Sequence, residues 1–181
     1  MRKLEVTEMG RMDVDSFRNS RKLPLTIILD DVRSLYNIGS VFRTSDAFRV
    51  ERVILCGITA TPDTNLTEIH KTALGAEESV DWTYSKDCVS TVSELKSQGY
   101  TCIAIEQVVD SVKLDVFHAD PSLRYALILG NEVKGVNQQV VDLCDISLEI
   151  PQFGTKHSLN VSVTAGMVIW TFASQLKDLL K

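Results

Sequence analysis

The sequence predicts an α/β domain built on a largely parallel sheet with helices on both faces. Short apolar runs rich in β-branched residues alternate with stretches of 3.6-residue periodicity, which is typical of strands that alternate with helices. The strand runs are almost continuously apolar, as in strands buried on both faces of a parallel sheet. No repeat or linker divides the 181 residues, so we expect one compact domain with a short appendage.

The elements follow one another in a regular order. An N-terminal helix is predicted over residues 7–19, ending before Pro24, because the residue before a proline disfavours helical geometry. The predicted strands are 25–29, 52–56, Tyr100–Ile105, Arg124–Leu129 and 146–150. The predicted helices are 38–47, 87–98, Gln138–Leu143 and 159–180. We therefore divide the chain into an N-terminal arm, residues 1–24, which the first helix would occupy, and a main domain, residues 25–181.

Composition excludes several classes of protein. With 44% hydrophobic and 24% charged residues the chain has the make-up of a globular domain. The first residues carry no signal-peptide stretch, and the longest apolar segment, 161–173, is too short to cross a bilayer, so we expect a cytoplasmic protein without a membrane partner. Cys56, Cys88, Cys102 and Cys144 are far apart and lack zinc-ligand spacing, so we expect buried thiols and no metal.

The charge of the chain argues against nucleic acid as a general partner. The net charge is −5, whereas nucleic-acid binding normally depends on Lys and Arg contacts to phosphates. The arm is the exception, because it holds six basic side chains against four acidic ones, a local charge of +2. This pattern suits a solvated amphipathic arm as well as an RNA-contacting one.

The loops after three of the strands hold unusual polar residues. Ligands of open α/β sheets bind beyond the carboxyl ends of strands, which directs attention to these loops. After the first strand, residues 30–34 read Asp-Asp-Val-Arg-Ser, so the glycine-rich dinucleotide fingerprint is absent. Asn37, which can cap a helix, and Arg43 follow. Alone, this segment would be a capped helix with a surface arginine.

The other two segments follow the strands that end at residues 129 and 150. The first reads Gly-Asn-Glu-Val-Lys-Gly over residues 130–135, where the glycines permit positive φ or close approach to a ligand. A glycine-bounded turn is common, but it does not explain an Asn-Glu pair directly after an apolar strand. The second is a polar loop that contains Lys156 and His157 and runs into the last helix, which Ser158 or Asn160 is expected to cap.

Together the three segments resemble the three motifs of the SpoU-type, TrmH-like family of RNA ribose 2′-O-methyltransferases in the SPOUT superfamily. The likeness covers about residues 25–172 with the motifs in the same order, and residues 69–76 are similar to the segment that connects them in the family. Arg49 and Val133 stand where many members have glycine, and Thr164 where alanine is usual. We expect Val133 to change the shape of the cofactor loop.

The resemblance implies a SPOUT-type, Rossmann-like parallel sheet with a C-terminal deep trefoil knot, and S-adenosylmethionine as the methyl donor. The residues implied for donor binding are Leu129, Gly130, Asn131, Glu132, Gly135, Ile150, Ser158 and Leu159. The residues implied for catalysis are Arg43, Asn37, Glu132, Ser158 and Asn160. We expect Gly130 to leave room for the adenine, Arg43 to hold the substrate phosphate and stabilise the developing alkoxide, and Glu132 to pair with the Arg43 guanidinium.

The implied partners are RNA, with tRNA favoured over rRNA, and a second copy of the chain. In the family the first-motif helix and the last helix approach the partner subunit. The apolar face of the last helix is expected to serve mainly the core and otherwise the interface; it comprises Val161, Ala165, Val168, Ile169 and Phe172. Two alternatives stay open: a non-catalytic RNA- or S-adenosylmethionine-binding protein of the same fold, and an unrelated α/β enzyme with a nucleotide cofactor.

Overall fold

The fold is one seven-stranded sheet covered by helices. The computed structural model describes residues 1–181 with the exception of the Val6 side chain. The strands are β1 Leu23–Asp30, β2 Val50–Cys56, β3 Trp82–Ser85, β4 Tyr100–Ile105, β5 Val112–Lys113, β6 Arg124–Leu129 and β7 Ile146–Glu149. Their order across the sheet is β3-β2-β1-β6-β4-β7-β5, and each neighbouring pair is parallel. The predicted α/β class is confirmed.

Helices follow most of the strands. They are α1 Val14–Asn19, α2 Leu35–Ala47, α3 Pro62–Ala73, α4 Ala76–Ser79, α5 Cys88–Ser97, α6 Gln138–Leu143 and α7 Val161–Leu176. The single N-terminal helix predicted over residues 7–19 is wrong in extent: a 3₁₀ turn, Val6–Met9, ends at Gly10 in a left-handed conformation, and Asp13 then caps the short α1. The division of the chain at residue 24 stays a prediction.

The core lies on both faces of the sheet, as expected for a parallel sheet. Side chains that alternate along β1 point to opposite faces, so that Ile27 joins the cluster under α2 and α7 while Ile28 joins the cluster under α5 and α6. Ile27 and Ile28 are both fully buried. The cover of helices on each face explains why the strand runs are continuously apolar.

Four elements escaped the sequence prediction, and each has weak local signals. Strands β3 and β5 lie at the two edges of the sheet and have four and two residues. Helix α3 begins with Pro62 and is kinked at Asn65, and it buries few apolar side chains. The short α4 completes the connection. Such elements depend on the tertiary structure more than on local pattern.

The C-terminal part of the chain supplies β7, which lies between β4 and β5 in the sheet, and α7, which covers one face of the sheet. The trefoil knot that the resemblance implies for this part stays a prediction. Among the described residues, none of the helices has both the length and the apolar content needed to cross a membrane.

Candidate active site

A cavity of about 460 Å³ opens at the carboxyl ends of β4, β6 and β7. Its wall includes all the residues that the resemblance implied for the donor: Leu129, Gly130, Asn131, Glu132, Gly135, Ile150, Ser158 and Leu159. The structure therefore brings the second and third motifs together around one pocket, where ligands of open α/β sheets are expected.

The pocket has the size and chemistry of a small-molecule site. Its volume falls within the range of about 300–1,000 Å³ that is typical of cofactor pockets. Apolar side chains from strand ends, such as Leu129 and Leu148, form part of the wall, and Glu106 and Gln107 add polar groups. Flat apolar walls suit an adenine ring, and a carboxylate suits a cationic or hydroxyl-bearing group. The residues present thus fit S-adenosylmethionine.

Gly130 lies where two parts of the chain approach each other closely. A Cβ at this position would lie 2.1 Å from the Gly135 carbonyl carbon and 2.2 Å from the Val136 nitrogen. Residues 131 and 135 exchange two backbone hydrogen bonds, and Gly135 has a φ of +69°. Gly130 therefore makes space for the returning chain, and the room that it was expected to leave for the adenine stays a prediction.

Asn131 holds this loop in place. Its side-chain oxygen accepts hydrogen bonds from the amides of Val133 and Lys134, and its Nδ2 donates to the Asp31 carbonyl at 2.8 Å. The side chain of Val133 is 81% exposed at the pocket wall. Asn131 thus fixes the loop, and the change of loop shape expected from Val133 stays a prediction.

Three polar residues, one from each motif, form a continuous hydrogen-bonded chain. Nδ2 of Asn37 donates to Oε1 of Glu132 at 3.1 Å, and Nδ2 of Asn160 donates to Oδ1 of Asn37 at 3.1 Å. Asn160 also caps α7 by accepting from the amides at 162 and 163, as predicted. Asn37 lies in the first turn of α2, whose cap is Ser34, so the expectation that Asn37 caps this helix is wrong.

The carboxylate of Glu132 is held in its ionised form by its surroundings. Burial alone would raise the pKa of Glu132, but the backbone amides of Arg33 and Ser34 and the side chain of Asn37 donate to its two oxygens and lower the pKa. Both oxygens are occupied by donors from the start of α2. Glu132 therefore fixes the first motif relative to the second.

Arg43 lies apart from this chain of hydrogen bonds. It is exposed on α2 and lines a second groove, together with Arg11 and Trp170. Within the described part of the protein, no carboxylate lies within 4.0 Å of its guanidinium, so the expected pairing with Glu132 is not formed. Ser158 lies on the pocket wall. The structure thus unites Asn37, Glu132 and Asn160, and leaves Arg43 free to meet a ligand.

The end of β4 contributes pocket residues that the sequence did not indicate. Ile105, Glu106, Gln107 and Val108 line the cavity because β4 lies between β6 and β7. Oε2 of Glu106 accepts from the Val136 amide at 3.0 Å, which ties this strand end to the loop of the second motif. The rule that ligands bind at strand ends would have found them, had the strand order been known.

Other chemistries find little support in the side chains. Burial raises the pKa of Cys102 to about 11 and that of Cys144 to about 12, so these thiols stay protonated near neutral pH. In the part of the chain that the structure describes, His, Cys, Asp and Glu nowhere form a group of three or more that could hold a metal ion.

Comparison with known sequences points to one family. Residues 24–170 match the model of the SpoU rRNA Methylase family. The chain is 34% identical over 160 residues to the 23S rRNA (guanosine-2′-O-)-methyltransferase RlmB of Neisseria meningitidis. The match covers 86% of this chain and 60% of that protein. It is 32% identical over 163 residues to a putative TrmH family tRNA/rRNA methyltransferase of Staphylococcus aureus, covering 87% of this chain and 63% of that one. The chain thus spans about three fifths of these relatives.

Solved structures share the fold. The TrmH/SpoU tRNA modifying enzyme of A. aeolicus superposes with a TM-score of 0.79 at 24% identity, covering 91% of this chain and 81% of that one. The AdoMet-bound rRNA methyltransferase of Sinorhizobium meliloti superposes with a TM-score of 0.77 at 23% identity, covering 88% and 60%. The seven-stranded sheet and its helical cover therefore have the architecture of these methyltransferases.

Proposed function

Because the chain belongs to the SpoU rRNA methylase family, we propose that it transfers a methyl group from S-adenosylmethionine to a ribose 2′-hydroxyl of RNA. The observation that carries this proposal is the hydrogen-bonded chain Asn37–Glu132–Asn160 beside the pocket. It joins one polar residue from each motif at the place where a donor and an acceptor would meet. A protein that only bound RNA would have no use for such a polar network next to a small-molecule pocket.

The donor pocket follows from the cavity wall. The strand ends at Leu129 and Ile150 and the backbone near Leu159 would hold the adenine and ribose, and the carboxylate of Glu106 would meet a hydroxyl or ammonium group. When bound, S-adenosylmethionine supplies a methyl carbon on a positively charged sulfur. The protein contributes the alignment of this carbon with the acceptor oxygen.

Arg43 is proposed to act on the acceptor. Arginine stays protonated under nearly all conditions, so a role as a simple general base does not suit its chemistry. Its planar guanidinium can instead hold the substrate phosphate and stabilise the alkoxide that develops on the 2′-oxygen, while the proton passes to that phosphate or to water. The hydrogen-bonded chain of Asn37, Glu132 and Asn160 positions the start of α2. Arg43 lies further along the same helix, and Ser158 faces the donor side.

The RNA class is tested by direct methylation. We favour tRNA over rRNA as the substrate. Unmodified tRNA and rRNA fragments are incubated with the protein and labelled S-adenosylmethionine, and the product nucleoside is located by mass spectrometry. We expect a 2′-O-methylated nucleoside. Methylation of a base, or binding of the donor without any transfer, would contradict the proposal.

A second copy of the chain is proposed to cover the faces of α2 and α7. The apolar face of α7 that was expected to serve mainly the core does so: Val161, Ala165, Val168, Ile169 and Phe172 are all buried in the single chain. A different stripe of α7 is exposed: Val163 at 47%, Met167 at 42% and Trp170 at 58%. The Trp170 ring lies 5.5 Å from that of Phe48 beyond the end of α2. These side chains form an apolar surface suited to a symmetric interface.

We expect a dimer in light scattering at micromolar concentration, and a monomer for Trp170→Glu, because a buried charge at the centre of an interface is costly. Leu123→Glu, which changes an exposed residue before β6, serves as the control and should leave the dimer intact. A wild-type protein that is monomeric at this concentration would refute the proposed interface. Since Arg43 lines the groove beside Trp170, its guanidinium would lie near the boundary of the two copies.

A further inference from the structure

Phe153 is an exposed aromatic residue on the loop between β7 and α7. It is 97% exposed, and of the large apolar side chains that the structure describes as exposed only that of Met1 is more so. Its neighbours in the loop are polar or glycine. A phenylalanine in such a position adds little to the stability of the fold, since it buries almost no apolar surface. Its place beside the pocket suggests a contact with a ligand.

The loop that carries Phe153 is fixed at the pocket. Gln152 and His157, on either side, line the cavity wall. Nε2 of Gln107 donates to the His157 carbonyl at 2.8 Å, and the loop ends at Asn160 in the hydrogen-bonded chain described above. Phe153 is thus held outside the pocket at a short chain distance from its wall, rather than on a remote part of the surface.

Two lysines on the loops of the pocket are available to an anionic partner. Lys134 and Lys156 are exposed on the two loops of the pocket, and within the described residues neither ammonium has a carboxylate within 4.0 Å. Of the acids on the pocket wall, Glu106 and Glu132 accept hydrogen bonds from backbone amides, and Glu149 pairs with Lys113. One exposed loop thus carries an aromatic ring, Phe153, and an ammonium group, Lys156, three residues apart in the sequence.

We propose that Phe153 stacks on an unpaired base of the RNA next to the target ribose, and that Lys156 contacts the adjoining phosphate. The inference rests on the proposed function, to which it adds the state of the substrate: a nucleotide flanked by unpaired bases. Proteins that read single-stranded RNA stack its bases on aromatic side chains and hold its backbone with cations. A paired stem offers no free base face to Phe153.

The test compares two fluorescent probes, an unmodified tRNA pool and a fully paired RNA duplex. We expect Phe153→Ala and Phe153→Leu to weaken tRNA binding about tenfold, and Phe153→Trp to retain it, because stacking needs an aromatic face. Duplex binding should not change. Lys156→Ala should weaken the binding of both probes. It should also reduce the slope of log affinity against log salt concentration by about 1. The matched control is Tyr84→Ala, an aromatic residue that is 51% exposed on the edge strand β3.

Each outcome decides the inference separately from the activity. Tight tRNA binding by Phe153→Leu, or an equal loss on the duplex, would overturn the stacking contact even in an active enzyme. If the wild type binds tRNA in a Phe153-dependent way but transfers no methyl group, the contact stands and the proposed activity falls. A wild type that binds neither probe overturns the stacking contact and the preference for tRNA, and the methylation assay with rRNA fragments then decides the activity. Unchanged affinity for S-adenosylmethionine in all variants shows that the fold and pocket are intact.

Discussion

Replacement of Arg43 by lysine is expected to lower kcat/KM for RNA methylation at least about 100-fold. A planar guanidinium can hold a phosphate through two parallel hydrogen bonds and still face a developing oxyanion, whereas an ammonium is a point charge. Arg43 is exposed and has no ion-pair partner among the described residues, so the change removes no contact on which the fold depends. The rate is measured with labelled methyl donor and the identified RNA.

The controls for Arg43 separate catalysis from folding. The melting temperature and the affinity for S-adenosylmethionine should equal those of the wild type, because Arg43 lies outside the donor pocket. Arg124→Lys, a matched change of an exposed arginine at the opposite end of the sheet, should keep full activity. Near-normal methylation by Arg43→Lys would show that a positive charge suffices and would remove the bidentate role.

Replacement of Gly130 by alanine is expected to lower the free energy of unfolding by roughly 3 kcal/mol, or to prevent folding. The added methyl group would meet backbone atoms of Gly135 and Val136 at 2.1–2.2 Å, and backbone cannot move aside as the end of a flexible side chain can. The loop of the second motif would have to open. Denaturant unfolding followed by circular dichroism measures the change.

Gly154→Ala is the matched control for Gly130. No atom lies within 4 Å of a Cβ at Gly154, and its φ is not in the left-handed region, so its unfolding free energy should stay within about 0.5 kcal/mol of the wild type. A Gly130→Ala protein as stable as this control would mean that the loop has room. The space beside Gly130 would then be available to the adenine, as the resemblance implies.

The central strands could be predicted closely from the sequence. The bounds of β4 and β6 agree with their apolar runs, because both are buried on two faces and their pattern has no competing interpretation. The edge strands β3 and β5 could not be found, since short, partly exposed strands depend on their neighbours. Helix α3 was missed because few of its residues are apolar and because it is kinked at Asn65.

The sequence indicates which loops form the site, but it does not indicate how their side chains are arranged. The polar residues of the three motifs could be named from the sequence, yet among the described residues of the single chain the expected pairing of Arg43 with Glu132 is not formed. Arg43 follows Asn37 by six residues, about one and two-thirds turns, so the two side chains leave α2 in different directions. The role of Glu106 depends on the strand order β6-β4-β7, which no local pattern encodes.

The Asn37–Glu132–Asn160 chain also sets when the site can form during folding. Its hydrogen bonds join residues 95 and 123 positions apart, so large loops must close before any of them is made. Contacts of such sequence separation slow folding, because the entropy of closure is lost before the contact returns any energy. Asn160, at one end of this chain of hydrogen bonds, caps α7, so we expect activity only once α7 is in place.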